Sequence, residues 1–395
     1  MTSEVKRVPE LRFPEFDGEW EELRIGQLAE IIRGSSPRPI SDPKWFDNKS
    51  EIGWLRISDV TKQNGRITNL DQRISVDGQN KTRVLHNEHL LLSIAATVGK
   101  PVINYVKTGV HDGFLIFLNP LFDIEYMFQW LDAFRPKWKK YGQPGSQVNL
   151  NSELVRSQKI VIPDTVEQKR IAELFSKLDR QIELEEQKLA KLEEQKNGYM
   201  QKIFSQQLRF KDENGNDYPK WENKQLGNLV DITMGQSPSS KNYTENSNYT
   251  TLVQGNADLN NGYIEPRIYT KQITKLAEVN DILLTVRAPV GKIGRAQLKA
   301  CIGRGVCAIK GDSFIYYFLE LFDLQNKWIR FSQGSTFESI SGNEIKNIDI
   351  AYPVNEERQK ISEFLSKLDK LLKNQLLKVE QLKQRKQGLL QKMFI

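Results

Sequence analysis

Gln143 and Gln147 flank Ser146 in a glycine-rich stretch that follows the basic, aromatic run "RPKWKKY". A matching stretch, "NKWIRFSQGSTF", carries Gln333, Ser335 and Thr336. A glutamine amide presents a donor and an acceptor side by side, the pattern that pairs with adenine, and an arginine fork does the same for guanine. Hydroxyls and ammonium groups suit phosphate oxygens. The same residue types recur at two further places. "RGSSPRP" holds Arg33, Ser35, Ser36 and Arg38, and its counterpart "GQSPSSK" holds Gln236, Ser237, Ser239, Ser240 and Lys241. The turn "VGK" occurs twice, ending in Lys100 and Lys292, and Arg287 in the second copy faces Ala95 in the first. Together with Lys137, Lys139 and Lys140, these residues are the candidate contacts to a nucleic acid.

Signals for catalysis fail. "NPLF" at Asn119–Phe122 lacks the second proline of the Asn-Pro-Pro-aromatic motif of amino-methyltransferases, and no glycine-rich cofactor loop stands beside it. "PDTVEQK" at Pro163–Lys169 contains the Pro-Asp and Glu-x-Lys of many nucleases at too tight a spacing; its counterpart "YPVNEERQK" loses both the aspartate and that lysine. No GxxxxGK[ST] phosphate loop occurs. His86 and His89 lack a second ligand pair, and Cys301 and Cys307 fit no metal spacing. The sequence therefore predicts neither catalysis nor a bound metal or cofactor in this chain. With two cysteines, no apolar run near the ~20 residues of a membrane span and no apolar leader, a cytoplasmic location is expected. The formal charge is +7 over 395 residues, but it is uneven. Residues 356–395 hold 10 Lys and Arg against 5 Asp and Glu, whereas the stretches before them are close to neutral. Any DNA-binding face must then be a local patch.

The elements that position these loops are themselves duplicated. "FDGEWEELRIGQLAEIIRGSSPRP" matches "YPKWENKQLGNLVDITMGQSPSS", pairing Trp20 with Trp221, Gly26 with Gly227, Gly34 with Gly235 and Pro37 with Pro238. The β-branched runs "GWLRISDV", "HLLLSIAAT", "GFLIFLNP" and "QKIVIPD" predict strands, and "TTLVQGN", "DILLTVRAP", "GVCAIK" and "NIDIAYP" answer them in the second copy. An amphipathic helix precedes the last strand of each copy. The expected fold is α+β, with two globules related by a pseudo-two-fold axis. The expected boundaries are 1–164 and 206–354 for the globules, and 165–205 and 355–395 for two helices.

Those helices are spelled almost alike. Eleven of 29 positions are identical between Ser176–Phe204 and Ser366–Phe394. A seven-residue repeat predicts a coiled-coil seam of Phe175, Leu178, Ile182, Leu189, Leu192 and Tyr199 in the first helix. Leu365, Leu368, Leu372, Val379, Leu382 and Leu389 form the second. Lys196 and Lys386 interrupt both seams at the same position, and Glu185 and Gln375 at another. Polar seam residues of this kind fix register and orientation. Gly198 and Gly388, inside the helices, suggest either a close approach between them or fraying near the helix ends. The helices are expected to run antiparallel and to separate the globules; a seam of this length spans roughly 42 Å, against ~34 Å for one turn of B-DNA.

The segment order, the "W…L…G…G.SP" opening of each globule, the "VGK" turn and the twin helices beginning "EQKRIAELFSKLD" and "ERQKISEFLSKLD" resemble the specificity subunit of type I restriction-modification systems. The resemblance covers nearly the whole chain. It implies two target recognition domains joined by conserved spacer helices. It also implies that the chain binds double-stranded DNA and directs methylation subunits (two of them) to N6 of adenine in a bipartite sequence. Restriction subunits would join to cleave unmodified DNA, and S-adenosylmethionine, ATP and Mg would be used by those partners. An assembly scaffold that binds protein rather than DNA is the alternative.

Overall fold

The computed structural model describes residues 7–141, 150–332 and 339–394. The chain divides into two compact units, residues 1–186 with 377–395, and residues 187–376. The division falls inside the two long helices, so each unit contains a globule and part of both helices.

In the first unit, β1 (Glu21–Arg24) and β2 (Glu30–Arg33) open the globule, followed by β3 (His89–Ser93), β4 (Pro101–Asn104), β5 (Phe114–Leu118), α1 (Ile124–Phe134), β6 (Lys159–Ile162) and α2 (Thr165–Phe204). The main sheet has the order β2–β5–β3–β4, with Arg66–Ile67 added parallel to β4. Central strand β3 is apolar without alternation because both its faces are covered. Leu90 and Leu92 pack in the cluster that includes Tyr126 and Trp130 of α1, and Leu91 points the other way against Val102 and Ile116. A second sheet pairs Gly53–Leu55 parallel to Thr108–Val110, with Arg83–Leu85 on its far side. The "GWLRISDV" run is a strand only as far as Leu55; Ile57–Lys62 is helical, with Asp59 accepting from the Arg56 backbone and guanidinium.

The second unit repeats this plan with β7 (Glu222–Gln225), β8 (Asp231–Met234), β9 (Ile282–Thr285), β10 (Ile293–Arg295), β11 (Val306–Lys310), α3 (Ser313–Leu324), β12 (Asp349–Tyr352) and α4 (Asn355–Met393). Its main sheet runs β8–β11–β9–β10 and continues with Tyr263–Ile264, again parallel to its neighbour. Thr250–Val253 lies parallel to Ala300–Ile302 in the second sheet, as the equivalent strands do in the first unit. In both units the first and last strands close an antiparallel ladder, β1 with β6 and β7 with β12.

One buried latch recurs. Arg12 donates two hydrogen bonds to Glu167, at 2.8 and 2.7 Å, and the Trp20 indole donates a third at 3.1 Å. Arg209, Glu357 and Trp221 repeat it, with the indole bond at 2.9 Å. The nuclease-like "PDTVEQK" is thereby explained as structure. Asp164 caps α2 by accepting from the Val166 and Glu167 backbone N–H groups, and Glu167 is the latch carboxylate.

Within each unit the long helices pair antiparallel. In the first, Phe175 stacks on Phe394, Lys386 bonds Asp179 at 2.6 Å and Lys378 meets Glu185. In the second, Lys196 bonds Asp369 at 2.6 Å and Tyr199 packs edge-on against Phe364. The two lysines that interrupt the seam are therefore satisfied by the same aspartate of the repeated "SKLD". Burial pulls the Lys196 ammonium down, but Glu320 and Asp369 outweigh it and hold its pKa above the ordinary value. Two expectations need correction. Tyr199 is 40 % exposed, and Met200 is buried in its place. Met200 joins Ile203, Trp221 and Phe314 in the core cluster of the second globule, so packing on that globule and not the helix seam alone selects the buried face in the last turn. Gly198 and Gly388 have open space around their Cα atoms, so they do not serve close helix packing.

Candidate nucleic-acid interface

Two of the three recurring loops converge at one end of the main sheet in each unit. In the first unit the loop after β2 is tied to the turn before β5. Gly34 N donates to Phe114 O at 2.9 Å, Ser35 N to Val110 O at 3.0 Å and Asp112 N to Ser36 Oγ at 3.2 Å. Gly34 passes so close to His111 O that no side chain fits there. The loop after β3 joins the same turn, Ile94 N donating to Gly113 O at 2.8 Å. The second unit rebuilds this frame bond for bond. Gly235 N donates to Val306 O at 3.0 Å, Gln236 N to Ile302 O at 2.9 Å, Arg304 N to Ser237 Oγ at 3.0 Å and Val286 N to Gly305 O at 2.9 Å.

The side chains on the frame differ. In the first unit Asp112 organises the loop. It accepts from Ser36 Oγ and from the Arg38 guanidinium, both at 2.8 Å, while Arg33 Nε donates to its carbonyl at 2.6 Å. Burial pushes the Asp112 carboxyl up, but the Ser36 bond and the charges of Arg38 and Arg33 outweigh it and leave it below the ordinary carboxylate range. Arg38 is held yet largely exposed. Beside it His111 packs between Trp54 and Phe114, and burial holds its pKa below the ordinary histidine value. Its Nδ1 accepts from Gly113 N at 2.8 Å, the contact of a neutral ring. In the second unit the position of Asp112 is Arg304, which is exposed, as is Arg287 on the neighbouring turn. Gln236, Ser239, Ser240 and Lys241 are exposed on the loop after β8, while Ser237 turns inward to the frame. Ser35 donates to the Lys81 carbonyl at 3.3 Å and so also serves the frame.

The "VGK" lysines are placed differently from the sequence expectation of free phosphate contacts. Lys100 Nζ donates to Asn64 at 2.9 Å and to Asp132 at 3.1 Å, with most of its side chain covered. Lys292 bonds Asp323 at 3.0 Å and stays half-exposed. An aspartate of the following helix thus neutralises each lysine. The turn glycines have a clear task. Gly99 and Gly291 have φ of +78° and +93°, and each lies against a buried tryptophan, Trp138 or Trp328, where a Cβ would collide. The third loop begins beside this turn, Arg135 Nε donating to Val98 O at 3.4 Å. Lys137 is exposed over the Phe134 ring. Gln143, Ser146, Gln147, Gln333, Ser335 and Thr336 lie outside the described residues, as do the side chains of Lys139 and Lys140.

Other chemistry is sparse. Among the described residues no group of three His, Cys, Asp or Glu is placed to hold a metal ion, and no helix is long and apolar enough to cross a membrane. Cys307 is buried, which pushes its thiol up to about 12. A groove of about 1390 Å³ in the first unit is lined by Arg66, Glu125, Asp179 and Lys386, and these groups are paired with one another.

A family profile described as "Type I restriction modification DNA specificity domain" matches twice, over residues 17–194 and 218–381. The chain belongs to this family. A putative type I restriction enzyme MjaX specificity subunit of Methanocaldococcus jannaschii is 28% identical, over 98% of this chain and 94% of its own. The MjaVIII specificity subunit of the same organism is 23% identical over 98% and 93%. Among solved structures, the type I restriction-modification S subunit from M. genitalium superposes with a TM-score of 0.62 at 14% identity, covering 98% of this chain and 99% of that one. A chain from a study of assembly and conformational transition of a type I R-M system gives 0.60 at 22% identity, covering 95% and 97%. The fold is thus that of a specificity subunit, with two target recognition domains, and membership assigns the chain to DNA target recognition.

Two residues of the frame, Asp112 and Arg304, were not among the sequence candidates. They occupy equivalent positions with opposite charge, so the repeat gives no identity signal there. Only the flanking glycines, Gly113 and Gly305, mark the place.

Proposed function

We propose that this specificity subunit reads a bipartite, asymmetric DNA target, one half-site through each recognition domain. Bound there, it directs N6-adenine methylation and restriction by partner subunits. The observation that carries the reading is the repeated loop frame, identical in its backbone bonds and different in its exposed arginines. Matching frames set two heads to do the same task, and differing side chains give them different sequences. S-adenosylmethionine, ATP and Mg would be handled by the partners, two methylation subunits and the restriction subunits. The long helices would set the gap between half-sites, and the complex would work in the cytoplasm. A scaffold that binds only protein is the competing reading.

Binding of a labelled duplex by the chain assembled with its methylation subunits decides between them. A DNA reader loses affinity as salt rises, with log K falling linearly in log salt. It also prefers the motif mapped from modified adenines in cells. Binding contributed wholly by the partner subunits, with no sequence preference added by this chain, contradicts the proposal.

A further inference from the structure

The loop frame offers four equivalent positions in each unit, one at the end of β2 or β8, one on the loop that follows, and two on the turns facing them. In the first unit they are Arg33 at the strand end and Arg38 on the loop, with Ala95 and Asp112 opposite. In the second they are Met234 at the strand end and Ser239 on the loop, with Arg287 and Arg304 opposite. The bonds from backbone to serine hydroxyl, Asp112 N to Ser36 Oγ and Arg304 N to Ser237 Oγ, fix the correspondence on one side. The bonds Ile94 N to Gly113 O and Val286 N to Gly305 O fix it on the other. Each head therefore presents two exposed arginines at the same place, but from opposite walls.

We infer that these arginine pairs are the base-reading residues of the two heads, and that the exchange of walls makes their half-sites different. The inference rests on the DNA-reading function proposed above and assigns its specificity to named side chains. An arginine fork matches guanine O6 and N7 bidentately, and the direction from which it enters the groove decides which base pair it meets. The first head aims its pair. Asp112 holds Arg38 through one nitrogen at 2.8 Å, and its carbonyl holds Arg33 Nε at 2.6 Å, while both side chains stay exposed. The second head has no carboxylate at any of the four positions. Among the described residues no carboxylate is paired with Arg287 or Arg304, and the duplex would supply their partners. Approach from opposite walls with different support predicts two different base patterns from one frame.

The test uses the complete methylation complex in cells, with modified adenines mapped genome-wide. Arg304→Ala should relax one or two positions in one half of the motif and leave the other half intact. Arg38→Ala should do the reverse. Loss of one bidentate pair corresponds to a fall of roughly 5- to 150-fold in preference at that position. Arg304→Lys and Arg38→Lys keep the charge but not the fork, and should not restore the preference. Asp112→Asn should broaden the same half as Arg38→Ala. Wild-type position preferences in the lysine variants would make these residues phosphate contacts and overturn the inference. So would alanine variants with an unchanged motif, or a loss of methylation at all sites from a chain whose thermal melt is intact. If an alanine variant does not fold, its lysine counterpart decides the matter. A wild-type complex with no motif dependent on this chain would instead sink the DNA-reading proposal itself.

Discussion

Replacing Glu357 with alanine tests the buried latch. Glu357 is fully buried, and it accepts two hydrogen bonds from Arg209, at 3.1 and 2.6 Å, and one from the Trp221 indole at 2.9 Å. Its removal strands a cation and an indole N–H together. Breaking a buried pair from one side costs about 3–5 kcal/mol. The Arg209 side chain keeps 23 % exposure, so water recovers part of its solvation. The expected loss is therefore at the lower end, about 3 kcal/mol. For a unit spanning residues 187–376, that corresponds to roughly 6–12 °C in Tm, at about 2–4 °C per kcal/mol. Urea denaturation followed by tryptophan fluorescence reads the loss as a shifted midpoint. Glu357→Gln, which keeps an acceptor but no charge, should fall between the two. A loss below about 1 kcal/mol, the range of exposed ion pairs, would refute the claim that the latch holds the second unit together.

Gly198→Ala and Gly388→Ala should each stabilise the chain by about 1 kcal/mol, because both glycines sit in helices with open space where the new methyl goes; thermal melts check it. Gly291→Ala should instead destabilise, since the methyl would strike Trp328 and φ is +93°; a melting point equal to wild type would contradict this. His111 is pushed below its ordinary value of 6.5 by burial, so the unfolded chain binds more protons just below that pH. Its contribution to stability is complete above about 6.5 and is lost as pH falls through the lower folded value. A His111→Gln variant should show a flatter decline in Tm between pH 7.5 and 5.5 than wild type.

The duplicated plan could be read from the sequence because identical residues recur where the backbone demands them. Gly34 and Gly235 allow a close approach, Gly99 and Gly291 clear a tryptophan, and Trp20 and Trp221 donate to the latch. The apolar runs of β3 and β9 stand out because both faces of each strand are covered. Partnerships were harder to read. The aspartates that pair with Lys100 and Lys292 stand about thirty residues on, and no local pattern points to them. "LRF" at Leu11–Phe13 and Leu208–Phe210 supplies both latch arginines, but three residues at a shifted offset leave little trace. Strands as short as Arg66–Ile67 carry no periodicity at all. Asp112 and Arg304 were hidden because the two copies carry opposite charges at that position, so the repeat leaves no shared residue to find.

The central claim is a pair of heads, each reading its own half-site, with the gap set by paired helices. Deleting one heptad from each helix, residues 184–190 and 374–380, tests this most directly. Seven residues of helix are about 10 Å, or about three base pairs of duplex. Genome-wide mapping of modified adenines should return the same bases in both half-sites with a gap shorter by about that amount. An unchanged gap, or altered bases with an unchanged gap, would contradict it.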